Sequence, residues 1–264
     1  MPELPDVEGF CRLLRSHAVG QSITSLEVRD PGIIRGPSSR EFARKLKGRR
    51  FFNPVRRGKW LLAPTDGPTL LLHFGMTGSL VWDDSRAELQ RFDRVAISVG
   101  GGRLVFRDQR KLGGLWLAND EGSVDDIIGE QGPDALGLTG RRLEERLVKR
   151  RGALKSALMD QKVLAGIGNT LSDEVLWRAR INPERRFSQL NPEERHHLDL
   201  GLQRVLRASI KKGAIPRSGT WLTSQRSRPE PTCPRCQHRL NITRVGGRTS
   251  YWCPACQPQF AKRR

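Results

Sequence analysis

Residues 154–180 read LKSALMDQKVLAGIGNTLSDEVLWRAR, and this stretch decides how the second half of the chain is organised. Apolar residues recur at helical spacing on both sides of a turn at residues 165–169, which contains two glycines. The pattern predicts one helix over residues 154–160 and another over 171–178. The second helix would begin with free backbone N–H groups that can bind a phosphate, with Asn169 as a further donor. A plain helical hairpin fits the stretch equally well.

Two further helices are predicted on either side of this pair. Residues 143–149 and 193–210 show the same period, and Asn191 followed by Pro192 is a favourable helix start. The tripeptide at residues 132–134, Gly-Pro-Asp, precedes all four helices and is typical of a linker. We therefore expect a helical domain over residues 131–225.

Four cysteines near the end of the chain form two Cys-x-x-Cys pairs. Cys233 and Cys236 are separated from Cys253 and Cys256 by 16 residues. Four thiolates at this spacing can hold one zinc ion tetrahedrally. Because such a site has no open coordination position, we expect the zinc to be structural.

The segment between the two cysteine pairs is predicted to be a β-hairpin. Its β-like stretches flank Gly246 and Gly247, and its tip carries Arg244 and Arg248. For Arg244 alone, a solvated basic loop is the simpler interpretation. We assign residues 226–264 to this module and its basic tail.

The first 130 residues follow a pattern with a period of two. A helix is predicted over residues 6–18, and the stretches 22–29, 51–64 and 69–76 have strand character. Alternating apolar residues on both sides of a Gly-Gly-Gly turn at 100–102 predict a β-hairpin. We expect residues 1–130 to form a β-sandwich with a leading helix, which makes the chain an α+β multidomain protein.

The composition favours a polyanionic partner. The chain has 264 residues, with 47 Lys and Arg against 28 Asp and Glu, which gives a formal net charge of +19. Nucleic acid or an anionic membrane surface fits this excess, and so does a ribosome-associated or merely basic protein. A membrane partner is disfavoured because the basic residues are dispersed and there is no strongly amphipathic terminal helix.

The cysteines and the absence of long apolar runs bear on location. Four of the five cysteines fall within 24 residues, which indicates metal ligation and not a disulfide framework. We see no signal peptide and no apolar run long enough to cross a membrane. We therefore expect a reducing setting and a cytoplasmic, nucleoid-associated protein.

An ordered series of motifs resembles the formamidopyrimidine-DNA glycosylase and endonuclease VIII family over nearly the whole chain. In chain order, the motifs are MPELPDVE at 1–8, RGKWLL at 57–62, HFGMTG at 73–78, DQRKLG at 108–113, DQ at 160–161, GIGN at 166–169, GRT at 247–249 and CPACQ at 253–257. The resemblance implies a β-sandwich, a helix–two-turn–helix domain and a zinc finger. It also implies a monomeric DNA glycosylase and AP lyase that acts on double-stranded DNA and cleaves by β/δ-elimination.

Four residues match the catalytic set of that family: Pro2, Glu3, Lys59 and Arg248. Removal of Met1 would expose the Pro2 amine, and an α-amino group with a pKa of about 7.7–8.0 can attack the sugar C1′ and form an iminium. By resemblance, Glu3 protonates the sugar ring oxygen, Lys59 contacts the phosphate beside the lesion and Arg248 grips flanking phosphates. Simpler roles stay open, namely a mere chain start, a helix-terminal carboxylate and a solvated strand lysine for the first three.

A second set of residues matches positions that contact DNA in the family. Met76, Arg110 and Leu112 would fill the gap left by a flipped nucleotide, although Met76 and Leu112 could also be core residues. Candidates for contact with the DNA backbone are His73, Lys111, Arg150, Lys155 and Asn169. For the cationic members, a plain solvated face is an equal alternative.

The chain departs from the family pattern in ways that bear on its substrate. Asp6 stands where Glu is usual, Leu112 replaces a Phe, Phe92 replaces a frequent His, and the stretch 213–232 is short. A short stretch there would cover a flipped purine poorly. We therefore expect 8-oxoguanine opposite cytosine not to be the best substrate, and abasic sites, ring-opened purines, oxidised pyrimidines or bulky adducts to be credible. A non-catalytic DNA-binding protein that kept the scaffold is the alternative function.

Overall fold

The computed structural model describes residues 1–85 and 87–258. The chain divides into two compact units, Met1–Glu130 and Gln131–Arg264. The first unit is dominated by strands and the second by helices, which is the predicted α+β organisation. Within the described ranges, we find no helix that combines the length and the apolar character needed to cross a membrane.

The described part of the first unit contains two four-stranded antiparallel sheets. The strands are β1 (Ile23–Val28), β2 (Val55–Arg57), β3 (Trp60–Ala63), β4 (Thr69–His73), β5 (Ser79–Asp83), β6 (Asp93–Val99), β7 (Gly102–Arg107) and β8 (Gly114–Ala118). One sheet has the order β1-β6-β7-β5 and the other β2-β3-β4-β8. Apolar side chains from both sheets, such as Leu72 of β4 and Phe106 of β7, share one buried cluster, so the predicted sandwich is confirmed.

Among residues 1–85 and 87–130, three α-helices accompany the sandwich: α1 (Leu4–His17), α2 (Ser39–Leu46) and α3 (Glu121–Ile128). The leading helix begins two residues earlier than predicted and buries Val7, Cys11 and Leu14, which lie on one face at spacings of four and three residues. It therefore packs its apolar face into the same cluster as the two sheets.

Several elements of the first unit were not predicted. Helix α2 buries only Phe42 and Leu46, which is too short a repeat to reveal a helical period. Strands β5 and β8 have only five residues each. The predicted strand 51–64 is interrupted by a turn between β2 and β3, whereas the predicted hairpin around 100–102 is confirmed as β6 and β7.

Within residues 131–258, the second unit contains four α-helices and one hairpin. The helices are α4 (Gly140–Leu147), α5 (Leu154–Met159), α6 (Asn169–Arg178) and α7 (Pro192–Lys212), and the hairpin strands are β9 (Asn241–Val245) and β10 (Arg248–Trp252). All four helices and the hairpin were predicted, with helix end points that differ by at most three residues. Helix α7 starts with a capping box of Asn191 and Glu194 and ends at Gly213, whose φ of +70° suits glycine.

The stretch 213–232 is more ordered than its polar sequence suggests. Trp221, Leu222, Thr223 and Gln225 are buried, and a 3₁₀ turn spans Leu222–Gln225. The backbone N–H of Thr223 donates to Glu174 of α6 at 3.3 Å. Two apolar residues alone give no period, so the sequence could not indicate this packing.

The Gly-Pro-Asp tripeptide predicted as a linker is hydrogen-bonded into the second unit. The Gly132 N–H donates to the Gln161 carbonyl at 2.8 Å, and the Ala165 N–H donates to the Pro133 carbonyl at 3.0 Å. The chain therefore joins the helical unit within two residues of Glu130.

Candidate active site

The N-terminal end of α1 holds two of the predicted catalytic residues. Glu3 is the N-cap of this helix and is fully buried, while Pro2 is half-buried. The Glu3 N–H donates to Asp6 Oδ2 at 2.8 Å, and the Glu3 carbonyl accepts from Asp6 and Val7. Asp6, the residue that departs from the family pattern, therefore completes a capping box that holds the backbone of Glu3.

Lys59 lies in a turn and not in the predicted strand. Gly58 and Lys59 connect β2 to β3, and the φ of +57° at Gly58 explains why the turn contains glycine. Arg56 in β2 donates to Glu8 Oε2 of α1 at 3.2 Å and to the Gly58 carbonyl at 3.0 Å. The turn that carries Lys59 is therefore tied to the first turns of α1.

His73 faces the same hairpin but is not a cation. It pairs with Trp60 across β3 and β4, with 4.8 Å between the ring centroids. Burial, followed by the charge of Lys59, lowers the pKa of His73 to about 4. Because the Gly75 N–H donates to His73 Nδ1 at 3.3 Å, the neutral ring carries its proton on Nε2. His73 can therefore offer a neutral N–H to a phosphate.

A buried carboxylate joins the two turns that carry the predicted gap-filling residues. Asp108 has no exposed surface. It accepts hydrogen bonds from Thr77 Oγ1 at 2.5 Å, from the Arg110 N–H at 3.2 Å and from the Gly113 N–H at 3.0 Å. Thr77 follows Met76, and the other two donors flank Leu112, so one carboxylate holds both turns.

The gap-filling candidates are exposed at the ends of these turns. Met76 is 37% exposed and Leu112 is 51% exposed, which rules out a core role for both. A Cβ on Gly75 would lie 2.4 Å from the carbonyl carbon of Leu112, so the two turns are in close contact. Arg110 is also exposed, and Lys111 is paired with Asp30 at 3.0 Å.

The four predicted metal ligands converge in the second unit. The Sγ atoms of Cys233, Cys236, Cys253 and Cys256 all lie within 4.8 Å of one another, and three of the pairs are 3.5–3.9 Å apart. Tetrahedral thiolate ligands at about 2.3 Å from zinc would be about 3.8 Å apart, so the arrangement fits a four-coordinate ion. The indole N–H of Trp177 donates to Cys233 Sγ at 3.3 Å and supports a thiolate there.

The hairpin between the cysteine pairs presents Arg248 at its tip. Gly246 and Gly247 have φ of +57° and +73°, as a tight two-residue hairpin turn requires, and Arg248 is exposed at the start of β10. A Cβ on Gly246 would lie 2.4 Å from Ser156 Oγ of α5. The hairpin tip therefore packs directly on that helix.

Lys155 is not available for direct contact with DNA, and this prediction is wrong. Its side chain is fully buried, and its Nζ lies 2.7 Å from Asp173 Oδ1. Helical position 155 faces the interior because Leu154 and Leu158 of the same short helix are buried with it. A basic residue type alone could not show this.

The other two candidates of the helical unit are placed where contact is feasible. Arg150 is exposed and lies 3.6 Å from Asp160. Asn169 is the first residue of α6, and its buried Oδ1 has no hydrogen-bond partner within the described chain. Asn169 therefore lies at the N-terminal end of a helix, the position at which a phosphate can bind.

Comparisons with known proteins agree with this geometry. The chain matches the family model of the formamidopyrimidine-DNA glycosylase N-terminal domain over residues 1–115 and that of the H2TH domain over residues 131–219. The formamidopyrimidine-DNA glycosylase of Chloroflexus aurantiacus is 37% identical over 272 residues, which span 97% of this chain and 98% of the relative. That of Pelotomaculum thermopropionicum is 35% identical, with 97% and 99% covered. The chain belongs to the formamidopyrimidine-DNA glycosylase family.

Solved structures of the Lactococcus lactis formamidopyrimidine-DNA glycosylase have the same fold. The complex with DNA that contains an AP site has a TM-score of 0.85 at 29% identity, and it covers 97% of this chain and 100% of that chain. The complex with DNA that contains N7-benzyl-Fapy-dG has a TM-score of 0.86, also at 29% identity, with 98% and 100% covered. The chain is a DNA-repair glycosylase, and nothing in these comparisons supports the non-catalytic alternative.

The two units of this formamidopyrimidine-DNA glycosylase divide the predicted site residues between them. The first unit brings together the N-terminal residues of α1, the Lys59 turn, and the Met76 and Leu112 turns on one sandwich. The second unit carries Arg248, the four cysteines and the N-terminal end of α6. In each set, one buried acidic residue that sequence reasoning missed holds part of the site.

Those missed residues are Asp108 and Asp173. In a chain with net charge +19, an acidic residue inside a basic motif is a usable signal, and Asp108 opens the motif DQRKLG. Asp173 offers no such signal, because it sits next to Glu174 on what looks like a polar helix face.

Proposed function

We propose that this glycosylase excises damaged bases with the secondary amine of Pro2 and then cleaves the strand as an AP lyase. The observation that carries the proposal is the Pro2-Glu3 pair at the start of α1, where Asp6 holds the Glu3 backbone and the Glu3 side chain is fully buried. A nucleophile next to an acid on a rigid helix end is the arrangement that covalent base excision needs.

No step of base excision and strand cleavage needs an external reductant or oxidant. The Pro2 nitrogen attacks C1′ and loses its N–H proton, while the damaged base leaves with the electrons of the N-glycosidic bond and takes up a proton. Glu3 protonates the sugar ring oxygen, so that the ring opens and an iminium forms. Loss of a C2′ proton then expels the 3′ phosphate (β-elimination), a second elimination expels the 5′ phosphate, and water releases the amine.

Cationic and neutral donors would hold the two phosphates that flank the lesion. We propose that Lys59 binds one phosphate and assists elimination, that His73 donates from Nε2, and that Arg248 grips phosphates from the finger side. Asn169 and Arg150 would add backbone contacts. Such contacts position the duplex without reading its sequence.

Met76, Arg110 and Leu112 would occupy the space that the flipped nucleotide leaves. Their exposure on two turns that Asp108 holds together supports this role. An apolar wedge between bases costs a few kcal/mol of unstacking, which the contacts to a bent duplex offset.

We further propose that the metal is one zinc ion, that the protein acts as a monomer on double-stranded DNA, and that it works in the cytoplasm at the nucleoid. The four-thiolate geometry supports zinc. The L. lactis structures with abasic-site and Fapy-dG DNA suggest the class of substrate. The short stretch 213–232 and Leu112 support a preference for abasic sites, ring-opened purines or oxidised pyrimidines over 8-oxoguanine.

Borohydride trapping tests the proposed nucleophile. The protein should form a covalent adduct with abasic-site DNA after reduction, and Pro2→Gly should lower the yield sharply. Pro229→Gly, at an exposed proline of the second unit, is the matched control and should trap normally. Undiminished trapping by Pro2→Gly would contradict the proposal. So would mass spectrometry that shows Met1 retained in the active enzyme.

A further inference from the structure

Asp173 is a densely bonded buried carboxylate of the helical unit, and the mechanism above does not use it. It lies on α6 with 2% of its surface exposed. Its Oδ1 accepts from Lys155 Nζ at 2.7 Å and from Ser250 Oγ at 2.9 Å. Its Oδ2 accepts from the Tyr251 N–H at 3.0 Å and from the Arg226 guanidinium. These four donors match the roughly four acceptor positions of a carboxylate.

The partners of Asp173 converge on the strand that begins with Arg248. Ser250 and Tyr251 belong to β10, and Lys155 also donates to the Thr249 carbonyl at 3.2 Å. The three residues that follow Arg248 are thus each bonded to Asp173 or to its partner Lys155. These bonds attach β10 to α5 and α6 at the hairpin end that carries the arginine.

Arg226 connects the same carboxylate to the stretch 213–232. Its guanidinium lies 4.7 Å from the centre of the Tyr251 ring, and the Tyr251 hydroxyl donates to the Arg226 carbonyl at 2.9 Å. The neighbouring residue of α6, Glu174, accepts from the Thr223 N–H in that stretch. Two adjacent acidic residues of α6 therefore bond to two different segments. Asp173 bonds to the β9–β10 hairpin and to Arg226 of the stretch 213–232, and Glu174 bonds to the same stretch.

The energetics argue that this cluster sets geometry and does not serve stability alone. Burying Lys155 and Asp173 costs desolvation free energy, and an apolar pair of similar volume often does as well or better. A charged pair adds a geometric constraint, because its hydrogen bonds can form only when β10 lies at one position relative to α5 and α6. An arginine that grips a phosphate needs such placement, since small displacements cost large factors in rate.

We propose that Asp173 is a positioning residue for Arg248, acting through Lys155 and the backbone of β10. The proposal rests on the proposed phosphate contact of Arg248. Asp173 is buried and holds the turn end of the β9–β10 hairpin against α5 and α6. The backbone of Arg248 is therefore fixed in position relative to these two helices. Without Asp173 the hairpin keeps its metal but loses this register.

The test compares variants by the salt dependence of DNA binding and by single-turnover excision. Arg248→Ala should lower the slope of log K against log salt by about 0.9, the value expected for one lost phosphate contact. Asp173→Asn should lower the slope in the same way and slow excision about tenfold or more, while metal content stays unchanged.

A second variant guards against simple misfolding, because Asp173→Asn leaves Lys155 buried without its charge partner. The double replacement Lys155→Met with Asp173→Leu removes the two enclosed charges at similar volume. Arg226, the other cation on Asp173, has a side chain that is 19% exposed and can be hydrated, so the variant should fold. It should still show the reduced slope. Adding Arg248→Ala to it should not lower the salt slope further, since both changes remove the same phosphate contact. Arg141→Met with Glu145→Leu, an exposed pair at 3.1 Å on α4, is the control and should behave as the parent.

The outcomes separate the two proposals. If the Lys155 and Asp173 double variant keeps the parental slope and rate, or if its effect adds to that of Arg248→Ala, Asp173 is only structural and the inference fails. If Arg248→Ala itself leaves the slope unchanged, the proposed phosphate contact fails instead, whatever Asp173 does.

Discussion

The backbone N–H of Glu3 donates a hydrogen bond to the carboxylate of Asp6, with 2.8 Å between N and Oδ2. This bond places the helix cap and the proposed catalytic acid in the same residue, because Glu3 is the N-cap of α1. The capping interaction that starts the helix therefore also fixes the backbone next to Pro2.

We predict that Asp6→Ala reduces both stability and excision. Loss of a capping residue costs about 1 kcal/mol of unfolding free energy. The excision rate should fall by more than this loss of stability explains, because the backbone of Glu3 loses its hydrogen bond to Asp6. Asp120→Ala is the matched control, since Asp120 caps α3 in the same unit by accepting from Ser123. Thermal melts and single-turnover rates are the measurements. Equal rate losses in both variants would show that Asp6 acts through stability alone.

A second prediction concerns Asp108 and the two exposed turns. Asp108→Asn should leave a buried donor unsatisfied, at a cost of about 1–3 kcal/mol, and should loosen the turns that carry Met76 and Leu112. A fluorescent base analogue opposite an abasic site should then report incomplete filling of the gap. Asp93→Asn, at another buried carboxylate that accepts from Gln90 and Arg107, is the control and should not change the fluorescence.

The pH dependence of stability should reveal the neutral state of His73. Its folded pKa of about 4 lies below the ordinary value of 6.5, so the unfolded chain takes up a proton first as the pH falls. The free energy of unfolding should therefore decrease as the pH falls from 6.5 to 4. In His73→Gln this decrease should be smaller by about 1–2 kcal/mol, a figure reduced to account for the partial exposure of the His73 ring to solvent.

The comparison must be made between the parent and His73→Gln at each pH. Burial raises the pKa of Glu174 to about 7, and a raised carboxyl pKa makes stability fall as the pH rises from 4.5 to 7. The difference between the two proteins cancels this opposite trend, which arises in the other unit. Parallel stability curves would mean that His73 is not neutral in the folded state.

Metal removal should unfold the finger and abolish DNA affinity. Metal analysis is expected to give about one zinc per chain, and Cys253→Ser should lose both the zinc and the binding of abasic-site DNA. Arg248→Ala is the matched variant, which should keep its zinc and lose activity. Full metal content in Cys253→Ser would contradict the ligand assignment.

The last prediction concerns the lesion. Single-turnover excision on matched duplexes should be slower for 8-oxoguanine opposite cytosine than for ring-opened purines or oxidised pyrimidines, because the short stretch 213–232 offers few donors to a flipped purine. Leu112→Phe should restore an aromatic face in the gap and raise sensitivity to the opposite base. An 8-oxoguanine rate well above all the others would overturn this prediction.

Local sequence patterns were sufficient for most of the elements. Periods of 3.6 and 2, glycine turns and the Asn191 cap predicted the helices of the second unit and the β6–β7 hairpin, since these signals involve residues close in sequence. They were insufficient for α2, α3, β5 and β8, whose few apolar residues acquire their meaning only from the cores that they join.

The residue types of the site were also legible in the sequence. Cys-x-x-Cys spacing predicted the four converging thiols, and the motif series identified the family and most of the candidate residues. The reason is that ligand spacing and catalytic side chains are carried by short segments whose chemistry does not depend on distant contacts.

Tertiary structure alone decided which charged residues face solvent and which are enclosed. Lys155 and Arg150 look alike in the sequence, yet Lys155 is buried against Asp173 and Arg150 is exposed. Likewise, only the fold places Asp108 beneath two turns that are about 30 residues apart, and only burial makes His73 neutral. Burial and partnership arise from segments distant in the chain, and no local pattern of charge or hydropathy records them.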